Sequence, residues 1–202
     1  MQLPEPIRNL RDKLAELPSI GPRQATRLAF YLVSQGKNAI DGFASAISGL
    51  ARVRICGRCF FTHENKENLC GICADPKRNQ NIFAIVEKET DLLSLENTKK
   101  FRGKYLILGE IPRTGMLAEW QKLRLQNLKR SIEKDSEGKA EEIILAFNPT
   151  SVGDWNASLI AKELAPYAKK ISRLGRGLPT GGEIEFADDE TFSGPDVQEV
   201  LS

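Results

Sequence analysis

All four cysteines of this 202-residue chain fall in one short stretch, as two pairs: Cys56-Gly57-Arg58-Cys59, then ten residues, then Cys70-Gly71-Ile72-Cys73. A Cys-x2-Cys turn presents two sulfurs on one side of a tight loop, and two such turns make a tetrahedral sulfur cage suited to zinc. Gly57 and Gly71 are read as supplying the backbone freedom such turns need. Four protein ligands leave no open coordination position, so one structural Zn2+ per chain is expected, stabilising a segment too short to build its own core. The alternative is four unliganded thiols. His63, the one histidine, is read as a surface residue, because two complete pairs need no fifth ligand.

This cysteine segment, residues 55–80, divides two differently patterned regions. Ile7, Leu10, Leu14 and Leu17 recur at helical spacing, which predicts a helix over 5–17, broken at Pro18-Ser19-Ile20-Gly21-Pro22. A second helix carries Ala25, Leu28, Ala29 and Leu32 on one face and stops at Gly36, and a third spans 39–54 with Ile40, Phe43, Ile47 and Leu50 in register. Residues 1–54 therefore read as a small helical unit. Beyond residue 80, strands Ile82–Val86, Tyr105–Leu108, Ile143–Phe147 and Ile171–Leu174 alternate with helices over Thr90–Glu96, Leu117–Glu133 (a long basic one) and Asn156–Lys169. That alternation implies βαβ units and a mainly parallel sheet over residues 81–175, with 176–202 as a short C-terminal segment. The fold class is α+β and multidomain.

With 41% hydrophobic residues the chain can fill small cores. Its apolar runs, such as Ile143–Phe147, fall far short of the roughly 20 residues of a membrane span. The opening Met1-Gln2-Leu3-Pro4-Glu5-Pro6 lacks a basic region followed by an apolar stretch, so a cytoplasmic protein without disulfides is expected. Residues 1–80 hold 12 Lys and Arg against 7 Asp and Glu, residues 81–202 hold 17 against 20, and residues 177–202 have seven acids and no Lys or Arg. A polyanion would meet the front half, against the plainer reading of ordinary scatter in surface charge, and composition alone does not decide between them.

The stretch Leu17-Pro18-Ser19-Ile20-Gly21-Pro22-Arg23-Gln24-Ala25 has the form of a helix-hairpin-helix. Backbone N–H groups at the start of its second helix point outward at an anion, and the helix dipole adds to the attraction. Arg23 and Arg27, four residues apart, share a face there, as phosphate-holding groups that read no bases. A plain helix pair with incidental arginines is the competing reading. Glu87 follows one strand and Asp154 follows another, at the edge where parallel sheets bind ligands. These two acids are candidates for a magnesium or partner-binding edge, against the plainer reading of a loop start and a helix cap.

In this order, the three signals resemble the RecR family of bacterial recombination mediators. The resemblance is carried by Leu17–Leu32, Cys56–Cys73, Ala84-Ile85-Val86-Glu87, Phe101–Gly109, Ile143–Thr150 and Arg176–Asp188 with its Gly-Leu-Pro-x-Gly-Gly run. It implies a helix-hairpin-helix unit, a four-cysteine zinc module and a Toprim-like α/β domain. It also implies a non-enzymatic DNA-repair factor that forms homotetrameric rings around DNA. Such proteins act with RecO-like and RecF-like partners to load RecA onto single strands, and the ring-facing role of the hairpin falls here to Arg23 and Arg27. The chain departs from the family pattern at Gly109–Leu117 and at Asn148–Asp154, where Val152 replaces an acid. The alternative is a Mg2+-dependent Toprim enzyme with nuclease-, primase- or topoisomerase-like activity. That chemistry wants several carboxylates around the metal, whereas only Asp154 stands near the expected second position. Tyr31, Tyr105 and Tyr167 read as core residues, not nucleophiles. A sequence-specific DNA binder is a third reading, disfavoured by a net charge of only +2.

Overall fold

Residues 3–175, apart from Arg113, Gly115 and Glu137, are described in this computed structural model; the C-terminal segment 176–202 lies outside them. The chain divides into two units, Met1–Val53 and Arg54–Ser202.

In the first unit, Pro4 and Pro6 open helix α1 (Glu5–Ala15), with Glu5 in its first turn and Lys13 in its last, both favourable to the helix dipole. The helix stops two residues short of Leu17, whose N–H donates to Leu14 O at 3.1 Å in a closing turn, and Leu17 is exposed. Helix α2 (Pro22–Ser34) begins with proline behind Gly21. Its Ala25 and Ala29 are fully buried, small enough to let α1 pack closely against it. Helix α3 (Lys37–Gly49) ends in a 3-10 turn at Leu50–Arg52, earlier than the periodicity predicts, because Arg54 already belongs to a strand. No residue of α3 is buried: Ile40, Phe43, Ile47 and Leu50 keep an exposed apolar face. Tyr31, expected in the core, is exposed as well.

The second unit is built on a four-stranded parallel sheet in the order β4-β3-β5-β6, comprising β3 (Ile82–Val86), β4 (Lys104–Ile107), β5 (Ala140–Ala146) and β6 (Ala168–Arg173). Both faces are covered, which is why its strands read as continuous apolar runs. Phe83, Ile85, Leu106, Ile143 and Leu145 face α6 (Glu119–Asp135) and α7 (Ser151–Leu164), packing with Leu125, Leu128, Ile132, Ile160 and Leu164. Ala84, Val86, Tyr105, Ile107 and Ala146 face the other way, onto Leu92 of α5 (Glu89–Asn97) and the four cysteines. The cysteine segment thus serves as a covering layer of the sheet. It contains a two-residue hairpin, β1 (Arg54–Ile55) with β2 (Thr62–His63), and a single helical turn, α4 (Gly71–Ala74).

Helix α7 begins five residues before the predicted start. Thr150 caps it, its hydroxyl accepting from Gly153 N–H at 3.0 Å, so residues 151–155 of the expected loop are helical. Its end also comes early, where a 3-10 turn at Ala165–Tyr167 containing Pro166 leads straight into β6. Tyr105 is buried and Tyr167 half-buried.

Candidate functional site

Each cysteine pair is shaped by backbone contacts. Cys56 N–H donates to Phe61 O at 2.8 Å and Phe60 N–H to Cys56 O at 3.1 Å, closing the first turn. The left-handed residue there is Phe60, at φ +65°. Gly57 serves another purpose than the expected backbone freedom: a Cβ on it would lie 2.3 Å from Asn68 Nδ2, and its N–H donates to Asn68 O at 2.9 Å. Open space surrounds Gly71. In the second pair, Cys70 caps the turn of α4, and its Sγ accepts from Cys73 N–H at 3.4 Å.

The four sulfurs lie within 4.8 Å of one another, all buried and unbridged. Cys59 and Cys70 Sγ are 3.5 Å apart, and Cys56 Sγ accepts from Cys70 N–H at 3.4 Å. A tetrahedral ion with sulfurs at about 2.3 Å spaces them about 3.8 Å apart, so the donor set fits one metal ion with four ligands. The Cys56 thiol is held well below its usual range, chiefly by hydrogen bonding to Cys59, which the same contact pushes up. Half-buried His63 stands outside this cluster; its Nδ1 accepts from Asn65 N–H at 3.1 Å.

The cluster is fastened to the sheet by groups that the sequence reading missed. Lys104, at the start of β4 and 1% exposed, donates from Nζ to Ile72 O, Cys73 O and Asp75 O at 3.0, 3.1 and 3.0 Å. Burial pushes its pKa below the ordinary lysine value. Ile107 N–H donates to Cys59 O at 2.9 Å, and Asn127 of α6 donates to Gly57 O at 2.9 Å. A lone lysine heading an apolar strand was the available signal, but its partners lie about thirty residues away. Nearby, Arg78 and the Tyr105 hydroxyl both donate to Glu96 Oε1, at 2.9 and 2.7 Å.

In the first unit, Arg23 and Arg27 are both exposed on the opening turns of α2, without ion-pair partners among the described residues. Ser19, at φ +63°, turns the chain between α1 and α2. The result is a hairpin of two packed helices with its arginines outward.

At the C-terminal edge of the sheet, β3 connects to β4 on one side while β5 lies on its other side, the reversal of strand order where such sheets bind ligands. Glu87, just past β3 and 6% exposed, lies at this reversal. Its Oε1 accepts from Asn148 N–H at 3.0 Å and Asn148 Nδ2 at 3.4 Å. A cleft of about 360 Å³ is lined by Glu87, Lys88, Glu110, Asn148, Thr150 and Val152, among others, and Lys88 and Glu110 pair at 3.6 Å. Asp154 is not among its lining residues; it sits in the first turn of α7, paired with Arg173.

A family model described as RecR, helix-hairpin-helix, matches residues 7–50, and a Toprim domain model matches residues 81–175. The chain is 38% identical over 196 residues to the recombination protein RecR of Anaeromyxobacter sp. (strain Fw109-5), covering 96% of each chain. The chain belongs to the RecR family. It is also 39% identical over 190 residues to the RecR of Chloroflexus aggregans, covering 93% of this chain and 89% of that one. To the RecR of Roseiflexus castenholzii it is 35% identical over 193 residues, covering 94% and 91%. The chain's function is thus that of a RecR recombination protein, and its Toprim region is the parallel sheet described above. Among the described residues, no helix is long and apolar enough to cross a membrane. Fully buried Gln121 donates from Nε2 to Gly109 O and Glu110 O at 3.3 and 3.2 Å, just past the end of β4. Val152 packs against the α6–α7 core.

Proposed function

We propose that this RecR-family chain is a non-catalytic recombination mediator that holds DNA without reading its sequence. The hairpin carries the reading: α1 and α2 pack through alanines and leave Arg23 and Arg27 exposed beside the start of α2. Phosphates satisfy such groups on any sequence. Four chains would form a ring around DNA in the cytoplasm, with residues 1–54 holding DNA and contributing to assembly. Residues 55–80 form the zinc module, with Zn2+ held by Cys56, Cys59, Cys70 and Cys73. With every position filled by sulfur, the ion supplies cross-linking and no Lewis-acid step. Residues 81–175 form the Toprim-like domain, and 176–202 the C-terminal segment.

The sheet edge at Glu87 and Asp154 would meet RecO-like and RecF-like partners, in an assembly that loads RecA onto single strands coated with single-strand-binding protein. Two features support partner binding there over phosphoryl transfer. Glu87 is occupied by Asn148, and Asp154 by Arg173, so neither carboxylate is poised with the other around one Mg2+. The test is purified full-length protein with Mg2+ or Mn2+ and single-stranded, nicked or supercoiled DNA, with its mass measured with and without DNA. An oligomer that binds DNA without turnover is expected. Cleavage, relaxation or primer synthesis abolished by Glu87→Ala would restore the Toprim-enzyme reading.

A further inference from the structure

One face of α6 carries Trp120, Leu123, Asn127, Arg130 and Lys134, spaced three, four, three and four residues apart. That spacing aligns all five along the helix, over about 21 Å at 1.5 Å per residue. The stripe borders an open groove against the cysteine module. The apolar end, about 710 Å³, is lined by Ile55, Phe60, Trp120 and Leu123, with Arg124 between the rings. The polar end, about 390 Å³, shares Asn127 and Arg130 and continues to Lys134 and to the Arg58–Asp135 ion pair.

Three observations bear on what this groove takes. Trp120 and Leu123 are 48% and 62% exposed, an apolar surface left open to solvent. The Arg124 guanidinium lies 4.6 Å from the Phe60 ring centre and 4.7 Å from that of Trp120, and donates to Ile107 O at 2.9 Å, so the indole is braced from one side. The stripe itself carries no acid; flanking Asp135 is paired with Arg58 and Glu119 with Lys122. Arg130 and Lys134 have no ion-pair partner among the described residues. An aromatic platform leading into unopposed cations suits a polyanion with flat apolar rings.

We propose that this groove is a second nucleic-acid site, distinct from the hairpin, that takes single-stranded DNA. An unstacked base lies against Trp120, and the following phosphates meet Arg130 and Lys134. A duplex buries its base faces in its own stack, so the indole selects single strands. The site rests on the reading of the chain as a DNA-binding protein and extends it by giving single and double strands different contacts.

The test uses the full-length chain carrying Trp155→Phe, which leaves Trp120 as the sole tryptophan. A thymidine 20-mer should quench its emission, and a 20-bp duplex should not. Trp120→Ala should weaken 20-mer binding roughly 5- to 150-fold and leave duplex binding unchanged, and Trp120→Phe should restore most of the loss. Arg130→Ala with Lys134→Ala should lower the single-strand salt slope by about 1.4. Arg23→Ala with Arg27→Ala should weaken duplex binding and preserve the quenching. These stripe side chains are exposed or half-buried, and circular dichroism with melting temperature checks that each variant folds. Unchanged 20-mer affinity in the Trp120 and Arg130/Lys134 variants, beside a working hairpin, overturns the groove and leaves the hairpin standing. Unchanged affinity with an altered assembly mass makes the groove a protein contact and also overturns it. No DNA binding by the unmodified chain overturns the DNA-binding reading itself, and the groove with it.

Discussion

Replacing Lys104 by Met keeps most of the aliphatic stem and removes the ammonium from a site only 1% exposed. Three bonds are lost, to the carbonyls of Ile72, Cys73 and Asp75 at 3.0, 3.1 and 3.0 Å, and those oxygens, buried or partly buried, are left without the ammonium. A hydrogen bond to a charged group contributes about 1.5–3 kcal/mol. Three of them are offset by the several kcal/mol it costs to take an ammonium out of water. The balance is a net loss of about 2–4 kcal/mol. Denaturant unfolding of the full-length chain measures it. Because the lost bonds hold the second cysteine turn against β4, metal release to a chelator should also quicken. The control is Lys170→Met, at a side chain that is 69% exposed and pairs with Glu142 at 2.9 Å; its cost should fall within about 0–1 kcal/mol. A Lys104→Met loss no larger than that of Lys170→Met would refute the claim that this lysine joins the two layers.

Protein purified without chelator should hold about one zinc per chain, and Cys56→Ser or Cys73→Ser should lower folding yield and melting temperature; an unchanged metal-free protein would contradict this. Burial tends to raise the Glu96 pKa, but hydrogen bonds from Arg78 and Tyr105 outweigh it and hold the carboxyl below its ordinary 4.5. Its contribution to stability is therefore fully present above that value and is lost as pH falls through the lowered one. Melting curves should show Glu96→Gln trailing the unmodified chain at pH 6, with the gap closing in stronger acid.

Much of the fold was legible because its signals are local. Alternating strands and helices gave the parallel sheet, and the spacing of the cysteines gave their convergence. Helix ends were less legible where a single side chain decides them: Thr150 starts α7 inside what reads as a polar loop, and Pro166 ends it. The layering was not legible at all. Lys104 is one charge at the head of an apolar strand, and its three carbonyl partners are brought to it only when the cysteine segment packs on the sheet. The periodic face of α3 shows the converse. Ile40, Phe43, Ile47 and Leu50 have the spacing of a buried stripe and yet remain exposed, because periodicity reports that a face is apolar without saying what covers it. Glu87 was found from its place after a strand, whereas its engagement by Asn148, sixty-one residues away, required the fold.

Sequence-independent DNA holding by the α1–α2 hairpin is tested most directly by equilibrium binding to unrelated duplexes across a salt series, for the unmodified chain and for Arg23→Ala with Arg27→Ala. The paired substitution should weaken binding to every sequence alike and reduce the slope of log affinity against log salt by roughly 2. Equal affinity and an equal slope in the two proteins would contradict it, and would make the hairpin a packing element with its arginines incidental.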